Sequence, residues 1–182
     1  MADTQHQEQL DSLDKVSVCL YRFGISLFSI SLLVLSASLA NLFSLANSMH
    51  WALLATSAAS ALAAANLHVY SKVVRTIIVW SSWLGILLMV GDSGQNYMWL
   101  SLGFLFVTFS GIALKESFCF NVTGLKLVPL GLVGCILFLV LDHPLVTSVL
   151  LIPTGLIMGY LSYQKWKMPL HFDIGIKAKY QV

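Results

Sequence analysis

MHWALLATSAASALAAANLHVYSKVVRTIIVWSSWLGILLMV, residues 49–90, decides the fold. Two runs without a formal charge flank a short polar turn that carries Lys72 and Arg75. An apolar run of about 20 residues matches the ~30 Å hydrocarbon core of a bilayer. This segment therefore reads as two membrane helices joined on one side by a basic turn.

The same pattern extends in both directions. Apolar stretches fall at Gly24–Ala46, Met49–Tyr70, Val73–Val90, Tyr97–Phe120, Leu127–Leu141 and Leu145–Tyr163. Lys15 and Arg22 precede the first, and Lys72 and Arg75 separate the second from the third. Lys115 and Lys126 lie around the junction of the fourth and fifth, while Lys165, Lys167, Lys177 and Lys179 follow the sixth. The gaps Asn47–Ser48, Gly91–Asn96 and Asp142–Pro144 hold no Lys or Arg. Basic residues mark cytoplasmic loops, so all ten Lys and Arg lie inside if both termini are cytoplasmic. The expected fold is an all-α membrane protein, a compact bundle of six transmembrane helices in three tight hairpins. Its parts are a cytoplasmic N-terminal segment 1–23, partly mobile, a six-helix domain 24–163 and a cytoplasmic tail 164–182. The expected location is the cytoplasmic (inner) membrane.

Composition excludes other classes. The chain has 182 residues, 58% hydrophobic and 10% charged, with mean hydropathy +0.83, whereas soluble domains carry about 25% charged residues. The net charge of +2 needs no nucleic-acid partner, because anionic lipid attracts basic loops. Membrane lipid is the expected partner, with protein partners or a homo-oligomer open. Met1–Asp14 holds four acids and no Lys or Arg, unlike the basic start of a signal peptide. Cys19, Cys119 and Cys135 show no metal-ligand spacing.

The helices differ in character. The first, rich in Ser, Leu and Phe, reads as lipid-facing over much of its surface, with Ser12–Arg22 before it as a short amphipathic helix. The second repeats small residues every four positions, as Ser57, Ala61, Ala65 and as Ala55, Ala59, Ala63. Such residues let helix backbones approach closely in lipid, which makes it the expected centre of the bundle. The sixth carries Pro153, a kink former, and the close-packing pair Gly155-xxx-Gly159. Asn66 is expected to hydrogen-bond another helix, and Cys135 to be a small packing residue.

The most unusual stretch is Lys115-Glu116-Ser117-Phe118-Cys119-Phe120, where a charged pair is followed by further apolar residues. Helix 4 extended to Phe120 leaves ionisable groups inside the inner third of the membrane, where they are expensive and often functional. Glu116 lies 17 residues below Trp99, His68 17 below Trp51, and Arg75 16 before Gly91. At the helical rise these reach a similar depth, roughly 25 Å from the outer face. The expectation is a polar cluster at the inner face of His68, Arg75, Lys115, Glu116 and Cys119, with Arg75 the first choice of partner for Glu116. It either closes the rim of the bundle or lines a binding pocket. On the outer face His50, Asp92, Asn96, Asp142 and His143 read as solvated loop residues, so no metal site and no cofactor are expected.

Leu67-His68-Val69-Tyr70 with Lys72 and Arg75, together with Lys115-Glu116-x-Phe118-Cys119-Phe120, resembles a family of uncharacterised small integral membrane proteins. The resemblance covers about Ser12 to Tyr163 and implies a compact polytopic membrane protein without an assigned activity. No GxxxxGK[ST], HExxH or GxSxG motif occurs, and no catalytic residue is expected. The leading reading is a non-enzymatic scaffold or binding protein with its polar cluster at the cytoplasmic face. A small transporter or channel component is the first alternative, and a thiol-based enzyme or redox regulator using Cys119 the second.

Overall fold

A computed structural model describes residues 9–42, 47–92, 94–177 and 180. The helices are α1 (Ser12–Leu39), α2 (Ser48–Ala65), α3 (Lys72–Gly91), α4 (Met98–Cys119), α5 (Val128–Val140), α6 (Pro144–Lys167) and the single turn α7 (His171–Ile174). A 3₁₀ turn, Leu125–Leu127, leads into α5, and no strand occurs among the described residues. Among the described residues, four helices are long and apolar enough to cross a membrane: α1, α3, α4 and α6. The others are shorter, with α2 about 27 Å and α5 about 20 Å by helical rise. The expected residues 1–8 of the N-terminal segment, the end of the first apolar stretch at 43–46, and Lys179 lie outside the described residues.

Local chemistry sets the helix ends. Asp11 caps α1, accepting from the Asp14 N–H at 2.7 Å while Asp14 accepts from the Asp11 N–H at 3.1 Å, a reciprocal capping box. From there α1 runs unbroken to Leu39, so the expected amphipathic segment Ser12–Arg22 is part of the first long helix. It ends earlier than its apolar sequence suggests. Asn41 adopts φ 54°, and the Leu42 N–H reaches the Ala37 carbonyl at 2.9 Å. Asp142 ends α5 in the same way, with φ 56° and the His143 N–H on the Phe138 carbonyl at 2.8 Å. Both are Schellman stops, in which Asn or Asp stands in for glycine.

The helices close into a ring in chain order, with α1 packed between α2 and α6. The expectation for α1 is reversed: 56% of its apolar window is buried, against 17% for α3. Its Ile25, Phe28, Leu32 and Leu35 are fully enclosed, and Phe28 stacks on Phe109 of α4. Three of the serines that made α1 look surface-like, Ser26, Ser29 and Ser36, face α6. Ser26 meets the Ser162 hydroxyl at 2.6 Å, and Ser29 donates to the Gly155 carbonyl at 2.8 Å. Ser36 and Ser148 each donate to the other's carbonyl at 2.8 Å. Gly159 lets Ser29 approach, since a Cβ there would lie 2.8 Å from its hydroxyl. In lipid such hydroxyl bonds and small residues take the place of the hydrophobic driving force between helices. Thr56 to Ser31 at 3.1 Å and Ser60 to Ser82 at 2.8 Å join α2 to α1 and α3. Asn66 donates to Leu62 of its own helix at 2.9 Å, not to another helix as expected.

The core draws its large side chains from α1 and α4, such as Phe28 and Phe109, and small ones from α2, such as Ala59 and Ala63. Of the two small-residue rows on α2, Ala59 and Ala63 are buried, whereas Ala65 in the other row is exposed. A Cβ on Gly24 of α1 would lie 2.9 Å from the Ala59 carbonyl oxygen and 2.9 Å from the Ala63 nitrogen. The two backbones therefore touch, and neither side has room for a larger group. We expect Ala63→Leu to destabilise the protein by about 1–3 kcal/mol through overpacking. Ala58→Leu, on the exposed face of the same helix, should stay within about 0.5 kcal/mol of wild type. Thermal unfolding of the purified protein in detergent measures both.

Candidate functional site

Charged residues gather at one end of the bundle, where α1 begins, α4 and α6 end, and α7 folds back beneath them. Tyr21 and Arg22 face inward from α1 because they share the face of Ile25 and Phe28, one turn on. Glu116 projects from the last turn of α4, Lys165 from the last turn of α6, and Asp173 from α7. Arg22, Glu116 and Lys165 are each no more than 2% exposed, and Asp173 is 6% exposed.

The groups form one continuous network. Tyr21 donates its hydroxyl to Glu116 Oε1 at 2.6 Å, and Lys165 Nζ donates to Glu116 Oε2 at 2.8 Å. The same Lys165 Nζ is paired with Asp173 Oδ1. Arg22 Nε donates to Asp173 Oδ2 at 2.7 Å, with Nη2 on the same oxygen. The remaining guanidinium donors reach the Met168 and Pro169 carbonyls at 2.8 and 3.0 Å, satisfying and complementing the carbonyl end of α6. Lys115 Nζ lies 3.1 Å from Glu116 Oε1. Aromatic faces enclose the cations: the Phe120 ring centre is 4.7 Å from Lys165 Nζ, and the Tyr21 ring centre 4.9 Å from Lys115 Nζ. Cations over ring faces gain further electrostatic attraction.

Beside the network lies a cavity of about 580 Å³. Lys115, Glu116 and Cys119 form one wall, His68 and Tyr70 of the α2–α3 connection another, and Asp173 with the chain after it a third. The C-terminal wall is tied down. The Ile176 N–H donates to the Tyr70 hydroxyl at 2.9 Å, and the Tyr180 hydroxyl donates to the Ile174 carbonyl at 2.6 Å. Gly175, with φ +66°, is required where this wall crosses Tyr70, because a Cβ there would lie 2.1 Å from the hydroxyl.

Of the five residues expected to cluster, His68, Lys115, Glu116 and Cys119 line this cavity. Arg75 stands in the first turn of α3 and donates to the Val69 carbonyl at 3.3 Å. The partner expected for Glu116 in Arg75 is instead Lys165, with Tyr21. His68 is half-buried, and its Nδ1 has no hydrogen-bond partner. Burial holds its imidazole below the ordinary histidine range, Lys115 adds to this, and Asp173 opposes it.

Tyr21, Arg22, Lys165 and Asp173 are the participants that the sequence reading missed. Tyr21 and Lys165 look like ordinary interface anchors, and Arg22 like a residue preceding the first span. Asp173 carried a signal, since it is the sole acid between residues 164 and 182, among four lysines. On the opposite end, Asp92 accepts from the Asn96 and Tyr97 N–H groups at 3.0 and 2.6 Å and so stabilises the α3–α4 turn.

An all-helical bundle with membrane-length apolar helices, hydroxyl-bonded interfaces and a buried charge network at one end is a polytopic integral membrane protein. The chain belongs to the family described as "Uncharacterized integral membrane protein (DUF2301)", which matches residues 26–182. A protein of Haemophilus influenzae, described as "Uncharacterized protein", is 34% identical over 185 residues, covering the full length of both chains. No solved structure matches.

The network predicts non-additive stability. Glu116→Gln removes one of two carboxylates and strands buried cations, at a cost of about 3–5 kcal/mol. Lys165→Met strands both carboxylates and should cost as much. The double variant should lose less than the sum by about 0.5–3 kcal/mol, whereas Glu116→Gln with Arg75→Gln should be additive. A thermal-stability cycle on the purified proteins distinguishes the two pairings.

Proposed function

We propose that the protein is a six-span protein of the cytoplasmic membrane with both termini inside, and that it acts as a non-enzymatic binding protein. The binding site is the cavity at its inner end. Charge supports the orientation. Among the described residues, every Lys and Arg falls at the network end of the bundle, while the opposite turns carry Asp92 and Asp142. That matches the positive-inside bias. The shorter α2 and α5 remain compatible with spanning, because a bilayer thins or flanking side chains snorkel at modest cost. Reporter domains fused after Ser48, Gly94 and His143 should be active only on the exterior side. A cytoplasmic signal from any two of these fusions overturns the orientation.

The observation that carries the binding reading is the 580 Å³ cavity bounded by the buried charge network. Its size lies within the usual range of small-molecule sites, roughly 300–1,000 Å³. The state of the charged groups favours binding over catalysis. Both oxygens of Glu116 accept hydrogen bonds, and Lys165 is shared between two carboxylates. Groups engaged in this way hold a wall in place and are poorly disposed to gain and lose protons. Leu114 lines the cavity from α4 at its exposed rim, so Leu114→Trp should obstruct its mouth. We expect a small molecule to co-purify stoichiometrically with the wild-type protein and to be lost from Leu114→Trp, as read by native mass spectrometry. Identical spectra for the two proteins would refute the binding reading.

A further inference from the structure

We propose that the ligand of this cavity is a single-chain amphiphile with an anionic head, bound with its head at Lys115 and His68 and its chain leaving past Val74, Leu114 and Phe118 toward the bilayer. The proposal rests on the binding reading above and names the chemistry that the site would take.

The charge count points to an anion. Arg22, Lys115 and Lys165 face only Glu116 and Asp173 within the network, which leaves one positive charge in excess. Arg22 and Lys165 are enclosed and fully engaged by the two carboxylates. The excess is therefore available at Lys115. Its side chain keeps 18% exposure, it lines the cavity, and its one close carboxylate oxygen is shared with Tyr21. An ammonium has three donors, so Lys115 retains capacity for an incoming acceptor. His68, in the facing wall, has an unsatisfied Nδ1. As the Nδ1–H tautomer it would donate to the same head group, and a buried donor without a partner is costly. A cationic ligand would instead join three cations and find both carboxylates occupied.

The walls point to a chain. Beyond Lys115 and His68 the lining turns apolar, with Val69, Phe172, Ile174 and Ile176 inside. At the rim Val74 of α3 and Leu114 and Phe118 of α4 are 42%, 44% and 75% exposed. Exposed apolar side chains on membrane-length helices face acyl chains. The cavity thus has its open apolar edge toward the bilayer, where amphiphiles reside, and its charged edge at the depth of head groups. Its volume suits one chain.

The test uses the full-length protein in phosphatidylcholine nanodiscs at mildly alkaline pH, with a palmitate probe bearing a diazirine near the carboxylate. The expected result is crosslinking to residues 111–120 or 171–177, competed by unlabelled palmitate and by lysophosphatidate, but not by hexadecanol or by inorganic phosphate. Lys115→Gln should lower the labelling about tenfold, as expected for loss of a charge-assisted hydrogen bond, and Lys115→Arg should retain it. Lys115→Gln leaves the Lys165–Glu116 pair in place. If it nevertheless fails to fold, Leu114→Trp serves as the blocked control and must abolish labelling. Equal competition by hexadecanol would show a site for chains alone, and competition by inorganic phosphate would show a site for soluble anions. Either result overturns the amphiphile assignment and leaves the binding reading standing. Absence of cavity labelling by the probe, together with no co-purified molecule, overturns both.

Discussion

Lys165 holds one charge between two buried carboxylates, and the arrangement of one whole end of the bundle follows from it. Glu116 comes from α4 and Asp173 from α7, and Lys165 meets an oxygen of each in a region nearly closed to water, where an unpaired charge is costly. Arg22 then pairs with the far side of Asp173 and brings α1 onto the Met168 and Pro169 carbonyls just past α6. Four elements, α1, α4, α6 and α7, thus meet at one place. Buried ion pairs commonly contribute little net stability compared with well-packed apolar groups, although breaking one partner is costly. Their benefit here is positional, because each charge has one place in which its partners are met.

The rest of the bundle is held by weaker and more numerous devices. Along α1 and α6, the three hydroxyl contacts of Ser26, Ser29 and Ser36 run in antiparallel register with Ser162, Gly155 and Ser148. Each contributes on the order of 0.6 kcal/mol by the average for membrane helices. Together they fix a register that apolar packing alone would leave free to slide. Gly24 against Ala59 and Ala63 does the same between α1 and α2 by shape. The charge network and the hydroxyl row agree on one alignment of α1 with α6, and that agreement across levels is what specifies a single structure.

The helices were legible in the sequence because hydropathy and the basic turns are one-dimensional signals. The small-residue face of α2 was legible too, since four-residue spacing maps directly onto a helix face. What one dimension withheld was direction. Serines on α1 read as surface because sequence alone does not say that another helix covers them. Counting depth groups His68, Lys115, Glu116 and Cys119, which line one cavity, but depth does not fix azimuth. Arg75, at the start of α3, donates to the Val69 carbonyl, while Lys165, from the last turn of α6, reaches Glu116. Asp173 was hidden for a different reason: it lies beyond the last long helix, where only a chain reversal after Met168 brings it back under the bundle. The early end of α1 at Leu39 was masked because the residues after it remain apolar, and Asn41 alone marks the stop.

The cavity persists for the same reason that the network exists. Collapse of its walls would require α7 to move inward, and Asp173 is held by Arg22 and Lys165. It would require the chain after α7 to slide over Tyr70, where Gly175 already sits in contact and the Ile176 N–H is bonded. It would also require α3 to close upon α4, but Gly85 and Gly111 have already brought Leu105 and Ile78 to contact distance above the cavity. Every wall is thus arrested by a bond or a steric stop made elsewhere. For the proposed ligand, a site fixed in advance would lose little ordering entropy on binding, and a net positive border would supply charge without reorganising. The same constraint that lets two carboxylates stay buried therefore keeps a space open beside them.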